Sequence, residues 1–303
     1  MTAISRADER WPELPWEKWK DTAATLHMWT QIVGKTRMAL SPFENHWWHV
    51  TLYVSARGLT TGAIPLGGQA FDIEFDFLNH RLLIRTSASD ERSLALRPQS
   101  VASFYSEFLK TLESLGIHVK FSGTPAEVSD PIPFSKDEQH AAYDPEYANR
   151  FWRILLNCAA IFRRFRSGFY GKCSPVHFFW GSFDMAVTRF SGRRAPDRPG
   201  ADALTREAYS HEVISAGFWP GNGGFNAPAF YAYAAPEPAG LDRALIRPSA
   251  AFYSQNMKEF LLRYDDVRAV ESPEENVLAF LESTYEAAAT LGKWDRSALE
   301  RSS

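Results

Sequence analysis

The chain has 303 residues, 45% of them hydrophobic and 14% aromatic, which is enough to bury one large core or two medium ones. The formal net charge of −3 shows no overall basic footprint, so we expect no nucleic-acid partner. No apolar run approaches the roughly 18 residues that cross a bilayer, so we also expect no membrane partner.

In the first half of the chain, the spacing of apolar residues predicts helices and a hairpin. A helix is expected over about 16–37. Residues 46–58 are rich in aromatic and β-branched side chains, which predicts a strand. Residues 71–77 alternate strictly, with four apolar side chains on one face and three acids on the other, and we expect the acidic face to be solvated. A turn then returns the chain through a strand at 81–87, and the helix that follows ends at Gly116.

The second half repeats this mixture of helices and strands. Residues 122–144 contain three prolines and little periodicity, which predicts a linker between the halves. Beyond the linker, helices are predicted at about 145–167 and 273–292, and strands at 174–192, 209–219 and 227–235.

The two halves also share local sequence. The Pro-to-Trp spacing after a Ser-Pro pair is five in both, from Pro42 to Trp47 and from Pro175 to Trp180, and a Gly-Lys pair precedes each Ser-Pro. We therefore predict an α+β protein with two pseudo-repeated halves, each a mainly antiparallel sheet with flanking helices. The halves are 1–121 and 145–303, joined by the linker 122–144, unless they form one integrated domain. Their junction is the expected place for a cleft.

Several motifs resemble a bacterial family known only as a domain of unknown function. They include NHWWHV at residues 45–50, SFDMAVTRFSGRRAP at 182–196 and YSHEVISAGFWPG at 209–221. The resemblance covers nearly the whole chain and implies a single-family protein instead of a fusion. It implies no activity, so the function must be argued from the residues.

Histidines are the first candidates for chemistry. On a regular strand, His46 and His49 would point to opposite faces, so the two would bind one metal ion only if the backbone were irregular there. Alternatively, one of them faces a pocket, or both are structural. His177, His211 and Glu212 could complete a metal site with nitrogen and oxygen ligands, although no known ligand spacing confirms such a site.

The strand around Arg189 places a cation among apolar side chains. Alternation puts Arg189 on a face with Met185 and Val187, and Asp184 on the opposite face. A buried cation needs an anionic partner. Arg189 could therefore form a salt bridge within the fold, or it could bind the carboxylate or phosphate of a ligand.

A polar stripe lies along the first predicted helix. His27, Gln31 and Lys35 are spaced four residues apart, so they share one helix face. This face could line a cleft, or it could simply be solvated.

These residues lead to a hypothesis of a small-molecule pocket protein, an enzyme of unassigned reaction acting on an anionic or aromatic molecule. His211 or Glu212 would be the acid–base group, with His177 beside it, because imidazole and carboxylate groups can exchange protons. Arg189 and Asp184 would orient the ligand. The predicted aromatic walls are Trp47, Trp48, Trp180 and Trp219.

Two other functions stay open. One is a metalloprotein that uses the histidines and Glu212, and the other is a non-catalytic binding or assembly module, which could form a homo-oligomer. No cofactor is indicated, since the chain lacks P-loop and dinucleotide-binding fingerprints. The first residues contain no apolar signal core, and Cys158 and Cys173 are too few for a disulfide framework, so we expect a cytoplasmic location.

Overall fold

Two six-stranded antiparallel sheets and their flanking helices form the protein in a computed structural model that describes residues 10–221 and 224–301. The α-helices are α1 (Trp16–Leu40), α2 (Val101–Ser114), α3 (Pro145–Ser167), α4 (Ala203–Ala208), α5 (Tyr264–Arg268), α6 (Pro273–Leu291) and α7 (Arg296–Leu299). Short 3-10 helices are Asn45–Val50, Phe134–Lys136 and Leu241–Arg243. In this described part of the chain, no helix is both long and apolar enough to cross a membrane.

Each half contributes one sheet, so the predicted α+β architecture with two similar halves is confirmed. The N-terminal sheet contains β1 (Tyr53–Val54), β2 (Gly58–Thr60), β3 (Ile64–Leu66), β4 (Gln69–Asp76), β5 (Arg81–Thr86) and β6 (Glu91–Ala95). The C-terminal sheet contains β7 (His177–Phe179), β8 (Asp184–Arg194), β9 (His211–Trp219), β10 (Ala229–Ala235), β11 (Phe252–Ser254) and β12 (Glu259–Arg263). The strand order is β1-β2-β4-β5-β6 in the first sheet, with β3 on β4, and β11-β12-β10-β9-β8-β7 in the second.

The alternation of β4 is confirmed on its apolar face and corrected on its acidic face. Its apolar side chains are buried in the core. The acids are not simply solvated, because Glu74 is 5% exposed and Asp76 is fully buried. Arg57 pairs with Asp76 at 2.9 Å, and Arg85 pairs with Glu74 at 2.7 Å. Arginines on neighbouring segments therefore neutralise the carboxylates, which allows these acidic side chains to be buried.

The two sheets meet through backbone hydrogen bonds. Leu52 N donates to Phe178 O at 2.9 Å, and Phe178 N donates to Leu52 O at 2.8 Å. The indole Nε1 of Trp180 donates to Val50 O at 2.7 Å. Residues 50–54 are thus fixed against β7, and side chains of the N-terminal half reach the C-terminal sheet.

Strand register divides the C-terminal sheet into two faces. Arg189 and its alternate neighbours Met185 and Val187 face α3 and α6 and belong to the main core. The opposite face, which we call the distal face, carries His177, Asp184, Ala186, Gly217 and Tyr231. Its apolar residues form small clusters separate from the main core, and Trp48 of the 3-10 helix Asn45–Val50 packs against one of them.

The helix α1 is buried on nearly all sides, and its polar stripe is neither solvated nor a cleft lining. His27 Nε2 lies 2.8 Å from Gly181 O. Gln31 donates to Ala126 O at 2.8 Å and accepts from Ala126 N at 2.8 Å. These bonds hold the beginning of the predicted linker against α1, because a buried amide side chain needs partners for both its donor and its acceptor.

Other sequence predictions concern the helices and the linker. The predicted helix 145–167 is confirmed by α3, which begins after the N-cap Asp144, and Gly116 adopts a φ of 72° just beyond α2. Within the predicted linker, Phe134 and Tyr143 are buried. The domain boundaries remain a prediction, and residues 1–9, 302 and 303 of the predicted halves lie outside the described residues.

We predict that Gly34→Ala destabilises the protein, although alanine favours a helix interior by about 1 kcal/mol over glycine. An added Cβ would lie 2.1 Å from Cδ1 of Trp180, whose indole is fixed by its hydrogen bond to Val50. Overpacking of this kind costs about 1–3 kcal/mol and should outweigh the helix preference. Urea unfolding measures the difference. Gly68→Ala is the control, since nothing lies within 4 Å of its added Cβ. Equal or higher stability of Gly34→Ala would contradict this account of the junction.

Candidate functional site

The motif at residues 45–50 forms a 3-10 turn, so the prediction of a strand there was wrong. His46 and Trp47 have φ values of 57° and 63°, in the left-handed region that a strand does not use. Two hydrogen bonds from His46 to Glu207, on α4 of the other half, hold this backbone. The tertiary contact therefore overrides the local strand preference.

The two histidines of this turn point to different surroundings. His49 stacks on Trp47 and its Nδ1 accepts from Glu44 N at 3.3 Å. His46 contacts the C-terminal sheet: its ring centroid lies 4.7 Å from that of Phe190 and 5.8 Å from that of His211. Of the pair, His46 is thus the one that faces the junction of the halves.

The protonation state of His46 follows from its partners. Lys172 Nζ lies 2.6 Å from Nε2, and an ammonium can only donate, so Nε2 accepts. Nδ1 then carries the proton and donates to Glu207 O at 3.1 Å. Burial, and next the charge of Lys172, lower the pKa of His46. His46 is therefore a neutral, fully hydrogen-bonded residue that holds Lys172 in place.

His177, by contrast, has no hydrogen-bond partner among the described residues. It is 1% exposed, and both ring nitrogens are buried and unpaired. Phe179, Trp48 and Tyr53 surround it, with ring centroids 4.6, 6.4 and 6.5 Å away. Burial, helped by the charge of Arg37, lowers its pKa to about 3, so the imidazole is neutral and holds one N–H without an acceptor.

Arg37 is the second incompletely paired group at this position. It is 8% exposed, its Nη1 donates to Thr51 O, and its guanidinium lies 5.0 Å from the Tyr53 ring centroid. Its Nε is buried without a partner, and no acid in the described ranges forms an ion pair with it. A buried guanidinium without a carboxylate is costly, and a cation–π contact offsets only part of that cost.

Basic and aromatic side chains from both halves lie around Arg37 and His177, and we call all of them together the basic–aromatic cluster. His211 lies at its edge, half-buried, with Nδ1 3.0 Å from Ser210 Oγ. Lys172 lies over the Trp48 ring at 5.4 Å, and burial lowers the pKa of its ammonium. Its members are Arg37, His46, Trp48, Tyr53, Lys172, His177, Phe190 and His211.

Asp184 lies further along the distal face. Its carboxylate accepts hydrogen bonds from Ser182 and from the Tyr231 hydroxyl, and burial raises its pKa. The Tyr231 ring can reach Asp184 because it lies across Gly217, where an added Cβ would be 2.4 Å from the phenol oxygen. Asp184 is thus a buried carboxylate bound by hydroxyl groups.

Other predicted site residues are placed away from this face. Glu212 pairs with Arg193 at 2.6 Å and accepts from Ser191 at 2.9 Å, on the face opposite His211. Arg189 lies among aromatic rings, 3.5 Å from the Phe165 centroid and 4.3 Å from that of Tyr285. Neither side chain is brought to the basic–aromatic cluster.

The predicted tryptophans also separate. Only Trp48 contacts His177, whereas Trp47 packs with Phe43 and His49. Trp180 is buried against α1, and Trp219 clusters with Tyr231 and Leu261 on the distal face.

The described residues contain no group of three or more His, Cys, Asp or Glu side chains that could hold a metal ion. His46 and His211 approach each other, but Lys172 occupies the Nε2 of His46, and His49 and Glu212 point elsewhere. The metalloprotein alternative therefore lacks a ligand set in this part of the chain.

Sequence reasoning missed Arg37, Lys172, Tyr53 and Tyr231 as site residues. One signal was available: Tyr231 alternates with apolar residues in the predicted strand 227–235, which puts it on the face opposite the core. Arg37 gave no signal, since nothing in the local pattern distinguishes a buried arginine at a helix end from a solvated one.

A model of a family of unknown function, DUF5996, matches residues 11–301. The chain belongs to this family. No curated protein and no solved structure matches the chain. The resemblance found from the motifs is thereby confirmed. Because DUF5996 brings no activity with it, the function has to be inferred from the geometry of the site.

We predict that His177→Phe stabilises the folded protein at neutral pH by about 1 kcal/mol. Phenylalanine keeps a flat ring in the same surroundings and removes two buried nitrogens that have no partner. Urea unfolding at pH 7.5 measures this change, and His118→Phe is the control because His118 is exposed. A loss of stability in His177→Phe at pH 7.5 would show that the nitrogens are paired.

The same variant should also change how stability depends on pH. The pKa of His177 in the folded protein is about 3, below its ordinary value of 6.5. Its contribution to the free energy of unfolding is therefore complete above pH 6.5 and is lost as the pH falls toward 3. The loss is roughly 1.4 kcal/mol per pH unit. His27, with a folded pKa of about 4, adds a similar slope. Unfolding at pH 7.5, 6.0 and 5.0 should therefore show a shallower acid loss in His177→Phe, and an unchanged slope would contradict the assignment.

Proposed function

We propose that the protein binds a small organic anion with a flat unsaturated part at the basic–aromatic cluster. The observation that carries the proposal is the burial of Arg37 and His177 near each other with nitrogens that have no partner. An acidic group of a ligand would accept hydrogen bonds from both and would supply the missing negative charge.

Electrostatics favour an anion over a neutral ligand. Glu207 is bonded to the cluster through His46 N, which donates to its Oε1, but no acid in the described segments forms an ion pair with Lys172 or Arg37. A charged hydrogen bond made in such surroundings contributes about 1.5–3 kcal/mol, which corresponds to roughly ten- to hundredfold in affinity.

The aromatic residues favour a flat ligand. Trp48, Tyr53 and Phe179 are only half-buried, so part of each ring is open to a ligand. Aromatic pairs gain about 0.5–1.5 kcal/mol beyond the area that they bury. An unsaturated ring attached to the acidic group would pack on these side chains.

A catalytic role remains a proposal that rests on this binding. His211, at the edge of the cluster, is the candidate acid–base group, because imidazole can donate and accept a proton. We also keep as proposals a cytoplasmic location and an origin by internal duplication. Support comes from the unpaired thiols of Cys158 and Cys173 and from the six-stranded antiparallel sheet in each half.

Melting-temperature shifts with benzoate, 3-phenylpropionate, phenyl phosphate and their neutral amides test this proposal. We expect at least one acid to raise the melting temperature of the wild type, and its amide to have a smaller effect. Arg37→Met and His177→Phe should weaken binding by about tenfold or more, because each removes a donor to the acidic group.

Arg97→Met is the matched control, since Arg97 is exposed, and it should leave binding unchanged. If no acid produces a shift, or if Arg37→Met and His177→Phe bind as well as the wild type, the proposal fails.

A further inference from the structure

A second set of unpaired charges, opposite in sign, lies on the same distal face. It comprises the carboxylates of Glu127, Asp184 and Glu259, and none of them forms an ion pair with a cation in the described ranges. Burial, and then repulsion by Asp184, raise the pKa of Glu127, and the same two causes raise that of Glu259 to about 7. These acids therefore lack the arginine partners that the acids of the N-terminal sheet have.

The fold holds Glu127 in this position through specific contacts. Gln31 makes two hydrogen bonds to the backbone of Ala126, and Glu127 has a left-handed φ of 55°. Although Glu127 is exposed as a residue, its carboxylate packs on Gly181, where an added Cβ would lie 2.3 Å from Oε1. Gly181 belongs to the turn between β7 and β8, so the carboxylate is brought beside Asp184.

The strand register places these acids close to the basic–aromatic cluster. His177 pairs with Ala186, and Asp184 lies two residues before Ala186 on the same face. Diagonal neighbours of this kind are about 7–8 Å apart. The floor beside them is formed by the small side chain of Ala186, and the Tyr231 ring, which lies across Gly217, forms a wall next to it.

We propose that the ligand is a zwitterion, an aromatic amino acid or a similar molecule, whose acidic group lies at Arg37 and His177 and whose ammonium lies at Asp184 and Glu127. This inference rests on the proposed function for the acidic group and adds the ammonium. A spacing of about 7–8 Å between these strand positions fits two hydrogen bonds of about 2.8 Å, with the α-carbon of an amino acid and its carboxylate and ammonium groups between them.

An ammonium suits these carboxylates better than a metal ion does. No described group of three or more ligand side chains is arranged for a metal. The carboxylate of Asp184 already accepts from Ser182 and Tyr231 and still has lone pairs for one more donor. The Phe179 ring, on the same face, offers an aromatic surface to the cation.

Three matched probes test the inference by isothermal titration calorimetry: L-phenylalanine, 3-phenylpropionate, which lacks the amine, and 2-phenylethylamine, which lacks the carboxylate. For the wild type we expect phenylalanine to bind about tenfold or more tightly than either of the other two. Glu127→Gln and Asp184→Asn should remove the advantage over 3-phenylpropionate. His177→Phe should weaken phenylalanine and 3-phenylpropionate together. Glu138→Gln, at an exposed glutamate, is the control and should change nothing.

The outcomes separate this inference from the proposed function. If phenylalanine and 3-phenylpropionate bind equally well, and Glu127→Gln changes neither, the ammonium site is overturned while the anion site stands. If neither acid-bearing probe binds, the ammonium site is overturned, and if benzoate and phenyl phosphate also leave the melting temperature unchanged, both proposals fail. An independent measurement needs no ligand: Glu127→Gln should raise the melting temperature by roughly 2–4 °C, because it removes a carboxylate repelled by Asp184. A lower melting temperature would contradict the inference.

Discussion

Burial of cations against aromatic rings, without carboxylate partners, is the constraint on which the site depends. Lys35 lies over Trp180, Arg37 over Tyr53, and Arg189 over Phe165. Each cation–π contact contributes about 0.5–2 kcal/mol, less than the several kcal/mol needed to desolvate a charge. Arg189 compensates with three rings and a backbone carbonyl, so it is structural. The buried Nε has no partner in either arginine, but Arg37 has only one ring and one backbone carbonyl, Thr51 O, so we propose Arg37 as the position for a ligand.

The N-terminal sheet shows that this chain can pair buried charges. Asp76 is bound by Arg57, and Glu74 by Arg85, although both acids are almost completely buried. The distal face instead keeps acids and cations apart, with no ion pair joining them among residues 10–221 and 224–301. Unpaired charges on the distal face, in contrast to the paired charges of the N-terminal sheet, are typical of a binding site, where stability is given up for function.

Both halves are needed for this arrangement. Arg37 and Tyr53 come from the N-terminal half, whereas His177 and Asp184 come from the C-terminal sheet. The hydrogen bonds between Leu52 and Phe178 bring the two sets together. A ligand at this position would touch the edge strands β1 and β7 of the two sheets, so binding and the association of the halves should be coupled.

The α+β class, the two similar halves, the helix 145–167 and the alternation of residues 71–77 could be predicted from the sequence, because these features depend on local periodicity and capping. It also placed His177 and Asp184 among the candidates. Three features could not be predicted in this way: residues 45–50 form a turn, Arg37 lies near His177, and Glu127 reaches Asp184. Those outcomes depend on contacts between residues far apart in the chain, which set the backbone and the local electrostatic field, and no local pattern encodes them.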